Sequence, residues 1–183
     1  LFKGDVEVGL MNMMHYDAGT IGNHEFDYGF DNMARVFKRL NYPIVCANYD
    51  FTGTELAKIV KPYVIIKRNG LKIGVFGLAP KLDGLVDHKN YLTTRYLDPV
   101  ATAQKMVDVL KGKKCDLIIC ITHLGWDEHG MGDQEVIRGT RGIDLVLGGH
   151  SHTYFQTLRY VKDLDGKLVP VDQNGKSGII SER

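Results

Sequence analysis

Two apolar runs constrain this chain more than any other feature: "DLIICITHLG" from Asp116 and "IDLVLGGHSHT" from Ile143. Neither alternates polar and apolar residues, so neither suits a strand with one wet face. Each reads as an apolar strand, the first ending at His123 and the second at His150. The helix-period segment "PVATAQKMVDVLKGK" precedes the first run, breaking at Gly112, and a short helix around Gln134 to Arg138 lies between the two. Strand and helix in alternation predict a layered α/β domain. The 183 residues suffice for one such domain with a sizeable core.

The remaining segments fit that plan. "DVEVGLMNMMHY" has apolar residues at helical spacing with Asp5 at its start, and "DAGTIG" reads as a short buried strand. "FDNMARVFKRL" is an amphipathic helix with Met33, Val36, Phe37 and Leu40 on one face, and "PIVCAN" is a second short buried strand. "YVIIKRNGLKIGVFGLA" is a hairpin turning at Asn69-Gly70. The tail after Tyr154 lacks helical periodicity and predicts hairpins turning at Asp165-Gly166 and Asn174-Gly175.

Charge excludes some functions. With 23 basic against 22 acidic residues there is no electrostatic case for nucleic acid or an anionic membrane. No run reaches membrane-spanning length and no signal peptide is present; the chain opens at Leu1, which suggests a piece of something longer. Cys46, Cys115 and Cys120 are odd in number and lack metal-ligand spacing, so they read as structural thiols.

Chemistry gathers where the strands end. "GNHEFD" follows "AGTI", "NYD" follows "IVCA", "THLG" follows "IICI", and "GGHSH" follows "DLVL". The crevice beyond the strand ends is where α/β sheets form sites. A pocket there would gather Asn23, His24, Asp27, His123, His150 and His152. Imidazole nitrogen, amide oxygen and carboxylate suit divalent zinc, manganese or iron. A lone strand-end histidine is more often a satisfied residue than a ligand, and "GNHEFDYG" alone could be an Asx-type turn. The three motifs in series shift that balance. His150 and His152 would face opposite ways on a regular strand, so an irregular turn is needed to bring both to one place. His15, His88 and His129 read as surface residues. Asp127, Glu128 and Asp133 read as a solvated loop, and Met11, Met13, Met14 and Met33 as core filler.

"YDAGTIGNHEFDYG", "ITHLGWDEHG" and "VLGGHSHT", in that order, resemble the calcineurin-like metallophosphatase domain of the secreted 5′-nucleotidases. "NYPIVCANYD", "NGLKIGVFGLA" and "VDQNGKSGI" match the pattern between and after them, so the resemblance covers residues 1–183 as one partial catalytic domain. It implies a four-layer fold of two sheets flanked by helices, incomplete at the N-terminus. It implies two divalent metals in the complete enzyme, zinc or manganese. Asn23, His123 and His150 would ligate one metal and His152 the other. His24, oriented by Asp27, would face the phosphate outside the ligand set. The implied activity is hydrolysis of nucleoside 5′-monophosphates. A 2′,3′-cyclic phosphodiesterase or UDP-sugar hydrolase of the same group is an alternative, and so is a non-catalytic fragment or binding module. The implied location is periplasmic or extracellular. The family's Asp-x-His and bridging Gly-Asp motifs are not in the chain, and Gly4-Asp5 reads as a helix start instead. The chain by itself is therefore expected to hold one metal or none.

Overall fold

Four parallel strands carry the architecture of the computed structural model, which describes residues 3–91, 93–126 and 130–176. In chain order the helices are α1 (Asp5–Met13), α2 (Gly29–Phe37), α3 (Leu56–Ile59), α4 (Pro99–Gly112) and α5 (Asp133–Arg138). The strands are β1 (Tyr49–Asp50), β2 (Tyr63–Arg68), β3 (Leu71–Leu78), β4 (Arg95–Tyr96), β5 (Leu117–Thr122), β6 (Leu145–Leu147), β7 (Arg159–Lys162) and β8 (Leu168–Asp172). Six of them form one mixed sheet ordered β2-β3-β5-β6-β8-β7, and β1 and β4 form a second, two-stranded sheet. Within the larger sheet β3, β5, β6 and β8 run parallel, while β2 and β7 close the edges antiparallel. The expected α/β layout of two sheets with flanking helices is present.

Local chemistry accounts for the boundaries. The turn between β2 and β3 puts Asn69 at φ 51° and Gly70 at φ 80°, the paired positive values that an Asn-Gly hairpin supplies. Asp98 caps α4, its carboxylate accepting from Ala101 N at 2.7 Å, with Pro99 in the first turn. β7 and β8 turn at Asp165-Gly166 as predicted. Asn174 instead bridges to Tyr154, and the segment beyond Lys176 lies outside the described residues.

The two N-terminal strands shrink to bridges. Gly19 pairs only with Ile44, and Val45 only with Lys61. Segment 43–48 changes partner at almost every residue, so no regular ladder develops: Val45 N donates to Gly19 O at 2.8 Å, Cys46 N to Lys61 O at 2.8 Å and Ala47 N to Gly77 O at 2.8 Å. The last bond falls just past Phe76, where pairing of β2 with β3 stops. Asn48 completes that edge, donating to Ala79 O and accepting from Ala79 N, both at 2.8 Å. Asn48, placed by its sequence position among the strand-end polar residues, is thus consumed by the fold. A Cβ on Gly77 would lie 2.0 Å from Val45 O, so glycine is needed for this close approach.

Two cores result. Phe76, Leu110, Ile118, Ile137, Val146 and Val169 fill the one between the large sheet, α4 and α5. Ile21, Phe26, Met33, Ile44 and Leu56 fill the other, around α2. Of the methionines expected as filler, Met33 is buried whereas Met11 and Met13 on α1 and Met14 just after it are exposed. Val8 is the residue that this helix buries. Asp5, in its first turn, pairs with Arg35 at 2.6 Å and with Arg39, a structural use of the acidic residue at the helix start. Asp133 is a correction: expected in a solvated loop, it opens α5 and is 1% exposed. Asp127, Glu128 and His129 lie outside the described residues. His15 and His88 are at the surface, Cys46 and Cys120 are buried, and Cys115 is half-buried.

Candidate metal centre

The Gly19–Gly29 loop is a 3-10 turn over His24–Phe26 whose entry is locked by Glu25. The Glu25 carboxylate reaches back to accept from Gly22 N at 2.7 Å, much as a capping box ties a helix start. Asn23 is 8% exposed, and its Oδ1 has no hydrogen-bond partner among the described residues. A buried carbonyl-type oxygen left unpaired costs about 1–3 kcal/mol, so this atom is free to accept from or coordinate a ligand. The next side chain goes the other way. His24 is 79% exposed at the side chain, and its Nδ1 lies 3.0 Å from Asp27 Oδ2. The three-residue spacing seen in the sequence places the carboxylate on the imidazole, leaving Nε2 turned outward.

His123 follows β5 directly, its N–H donating to Leu78 O at 2.9 Å. Its ring is held between two glycine backbones. A Cβ on Gly22 would lie 2.8 Å from both Cδ2 and Nε2, and one on Gly149 would lie 3.0 Å from Nδ1. The first glycine belongs to the Asn23 loop and the second to the His150 loop, so the three motifs meet at this ring. The His123 and His150 rings are 5.1 Å apart at 62°. Burial, and then the nearby charges of His150, His24 and His152, push the His123 imidazole down to about 4. At neutral pH it is therefore uncharged, the form that binds metals.

The irregular turn required by "GGHSH" is present. Ser151 N donates to Gly149 O at 3.0 Å across His150, which has φ 76°. This is the rare, strained γ-turn. His152 follows at φ 56°. Two non-glycine residues in left-handed backbone within three positions cost of order 1–3 kcal/mol each, and such strain collects at functional sites.

The structure thus brings Asn23, His24, Asp27, His123, His150 and His152 to one region. Asn23, His123 and His150 offer an unpaired amide oxygen and two imidazoles, a donor set that fits one divalent cation by type. Among the described residues, no group of three or more His, Cys, Asp or Glu side chains is placed to hold a metal by itself. Of two buried polar residues near this region, sequence reasoning placed Asp133 in a solvated loop and gave Gln173 no role. Their only signal is a polar type beside an apolar strand, which also describes a surface position.

The fold and donor set define an α/β domain that carries side chains of metal-ligand type on loops at the ends of its strands. The chain belongs to the calcineurin-like phosphoesterase family, whose model matches residues 5–154. A 2′,3′-cyclic-nucleotide 2′-phosphodiesterase/3′-nucleotidase of Haemophilus influenzae is 33% identical over 91% of the chain and 28% of its own length. A snake venom 5′-nucleotidase of Gloydius brevicauda is 34% identical over 94% of the chain and 31% of its own length. The crystal structure of a 5′-nucleotidase precursor from Thermus thermophilus superposes with a TM-score of 0.83 at 29% identity, covering 94% of this chain and 36% of that one. The chain therefore spans about a third of the length of these relatives.

Proposed function

We propose that this chain is the metal-holding part of a phosphoester hydrolase acting on nucleotides, with nucleoside 5′-monophosphates as the favoured substrates. The observation that carries the reading is the unpaired, buried Asn23 Oδ1 beside the uncharged His123 and the His150 ring. Asn23, His123 and His150 would hold one cation and His152 would contribute to a second. Zinc or manganese suits these donors. A bound divalent cation of this kind supplies a Lewis acid and an activated water for attack on phosphorus.

The remaining work falls to protein groups. His24, exposed and held through Nδ1 by Asp27, turns Nε2 toward solvent, where it meets the phosphoryl oxygens or the leaving oxygen. Gly22 and Gly149 leave the space that the His123 ring occupies, since a Cβ at either position would crowd it. The relatives named as 5′-nucleotidases support the favoured substrate, and the relative named as a cyclic-nucleotide phosphodiesterase supports a 2′,3′-cyclic nucleotide as the second reading. A periplasmic or extracellular location accords with this reading. No helix among the described residues is long and apolar enough to cross a membrane.

The test compares His24→Ala, Asp27→Asn and His150→Ala in the whole protein that carries this chain, measuring bound metal and phosphate release from adenosine monophosphate and p-nitrophenyl phosphate. His24→Ala lowers turnover by about 10²–10⁴-fold and keeps its metal. His150→Ala loses metal and activity together, and Asp27→Asn falls between. A His24→Ala protein stripped of metal, beside a fully loaded His150→Ala protein, overturns the division of roles.

A further inference from the structure

Behind the two strained histidines lies one buried side chain. Gln173 follows β8 and is 2% exposed. Its Oε1 accepts from Ser151 Oγ at 2.8 Å and from Thr153 N at 2.6 Å, and its Nε2 donates to Gly149 O at 2.9 Å. Those partners flank His150 on both sides and His152 on both sides. The backbone of Gln173 holds the same loop further along, its carbonyl accepting from Phe155 N at 3.1 Å. Ser151 is tied a second time: its Oγ accepts from Trp126 N at 3.0 Å, on the loop that follows His123. Because the Ser151 hydroxyl hydrogen goes to Gln173, the Thr153 hydroxyl 2.9 Å away donates to Ser151.

We propose that Gln173 is a positioning residue that fixes the aim and separation of His150 and His152 by clamping the strained 149–153 turn from beneath. The physical argument is one of compensation. A γ-turn at His150 and a left-handed His152 persist only where the surroundings over-determine them. Three hydrogen bonds from one ordered side chain, shielded from water, supply that constraint. An aliphatic side chain of similar length fills the space and lets both residues relax toward ordinary backbone, which swings the imidazoles apart. The metal-related part of this inference rests on the proposal above that His150 and His152 hold cations.

The experiment uses the full chain with Gln173→Leu and Ser151→Ala, probed with Zn²⁺ alone. It measures zinc affinity by calorimetry, unfolding midpoints, and histidine side-chain NMR signals of the metal-free chain. Gln173→Leu weakens zinc binding by about 10–100-fold, the usual effect of losing a group that orients a ligand. It moves the His150 and His152 signals and leaves that of His24 in place. Ser151→Ala, which cuts one strut of the clamp at a partly exposed site, does the same to a smaller degree and stays folded. A folded Gln173→Leu chain with unchanged zinc affinity and unmoved His150 and His152 signals overturns the proposal. So does a shift of His24 as large as theirs, which signals general loosening. If Gln173→Leu does not fold, Ser151→Ala decides by the same readouts. If the unaltered chain by itself binds no zinc, which the absent Asp-x-His and Gly-Asp motifs allow, the metal-free imidazole signals alone decide the role of Gln173.

Discussion

Asp133→Asn makes this protein more stable in alkali and less stable, by up to about 2 kcal/mol, at pH 4.5. Asp133 is buried at the start of α5, its Oδ1 accepting from Thr122 Oγ1 and its Oδ2 without a hydrogen-bond partner among the described residues. Burial, and then the charge of Glu135, push its carboxyl from an ordinary 3.8 up to about 7. Between those two values the folded chain keeps a proton that the unfolded chain has released, so stability falls as pH rises through the window. Each pH unit is worth about 1.36 kcal/mol. The ionised carboxylate therefore costs about 4 kcal/mol above pH 7, and about 1 kcal/mol at pH 4.5. Asparagine keeps the oxygen facing Thr122 and abolishes the charge. It also leaves a buried amide donor at the former Oδ2 position, a cost of about 1–3 kcal/mol at every pH. The net gain at pH 8.5 is about 1–3 kcal/mol, and the stability difference between variant and parent changes by about 3 kcal/mol from pH 4.5 to 8.5. Urea unfolding of both proteins at the two pH values measures it. A difference that does not vary with pH refutes the argument, since only a buried titrating carboxyl makes it vary.

Two glycine substitutions separate fold from site. Gly77→Ala places a methyl 2.0 Å from Val45 O and 2.6 Å from Thr20 Oγ1, so it forces segment 45–47 off the edge of β3 and costs about 3 kcal/mol or more, read from the urea midpoint. Gly22→Ala places a methyl 2.8 Å from the His123 ring, so zinc affinity by calorimetry falls at least about 10-fold while the unfolding midpoint moves little.

Long elements with one clear period were legible in advance: α4 with its Asp98-Pro99 start, the Asn69-Gly70 hairpin, and the apolar strands β5 and β6. Those signals are local, and the structure realises them locally. Segments 17–22 and 43–48 were not, because their hydrogen bonds go in succession to Gly19, Lys61 and Gly77, partners that no nearby residue announces. In the site, the His24–Asp27 contact follows from spacing within one turn. An irregular turn between His150 and His152 could be required from the sequence, but not its left-handed backbone at both residues, since the constraint assigned above to Gln173 comes from beyond another strand. Asp133 misled for a related reason. A carboxylate in a glycine-rich stretch reads as wet, and only the packing of Thr122 and Gly148 around it shows otherwise: a Cβ on Gly148 would lie 2.3 Å from its Oδ2.

The strand order has a consequence for the route by which the chain reaches this state. The two local hairpins, β2-β3 and β7-β8, occupy opposite edges of the large sheet, and β5 and β6 lie between them. Hairpins close within microseconds, whereas parallel neighbours such as Ile73 and Leu117 meet only after a long loop has been drawn in. The edges can thus form early and separately, and the middle joins them late. His123 and His150 sit at the ends of those middle strands. If this chain captures a cation as proposed, that capture would report completed folding, arriving with the last long-range closure rather than with any early local structure.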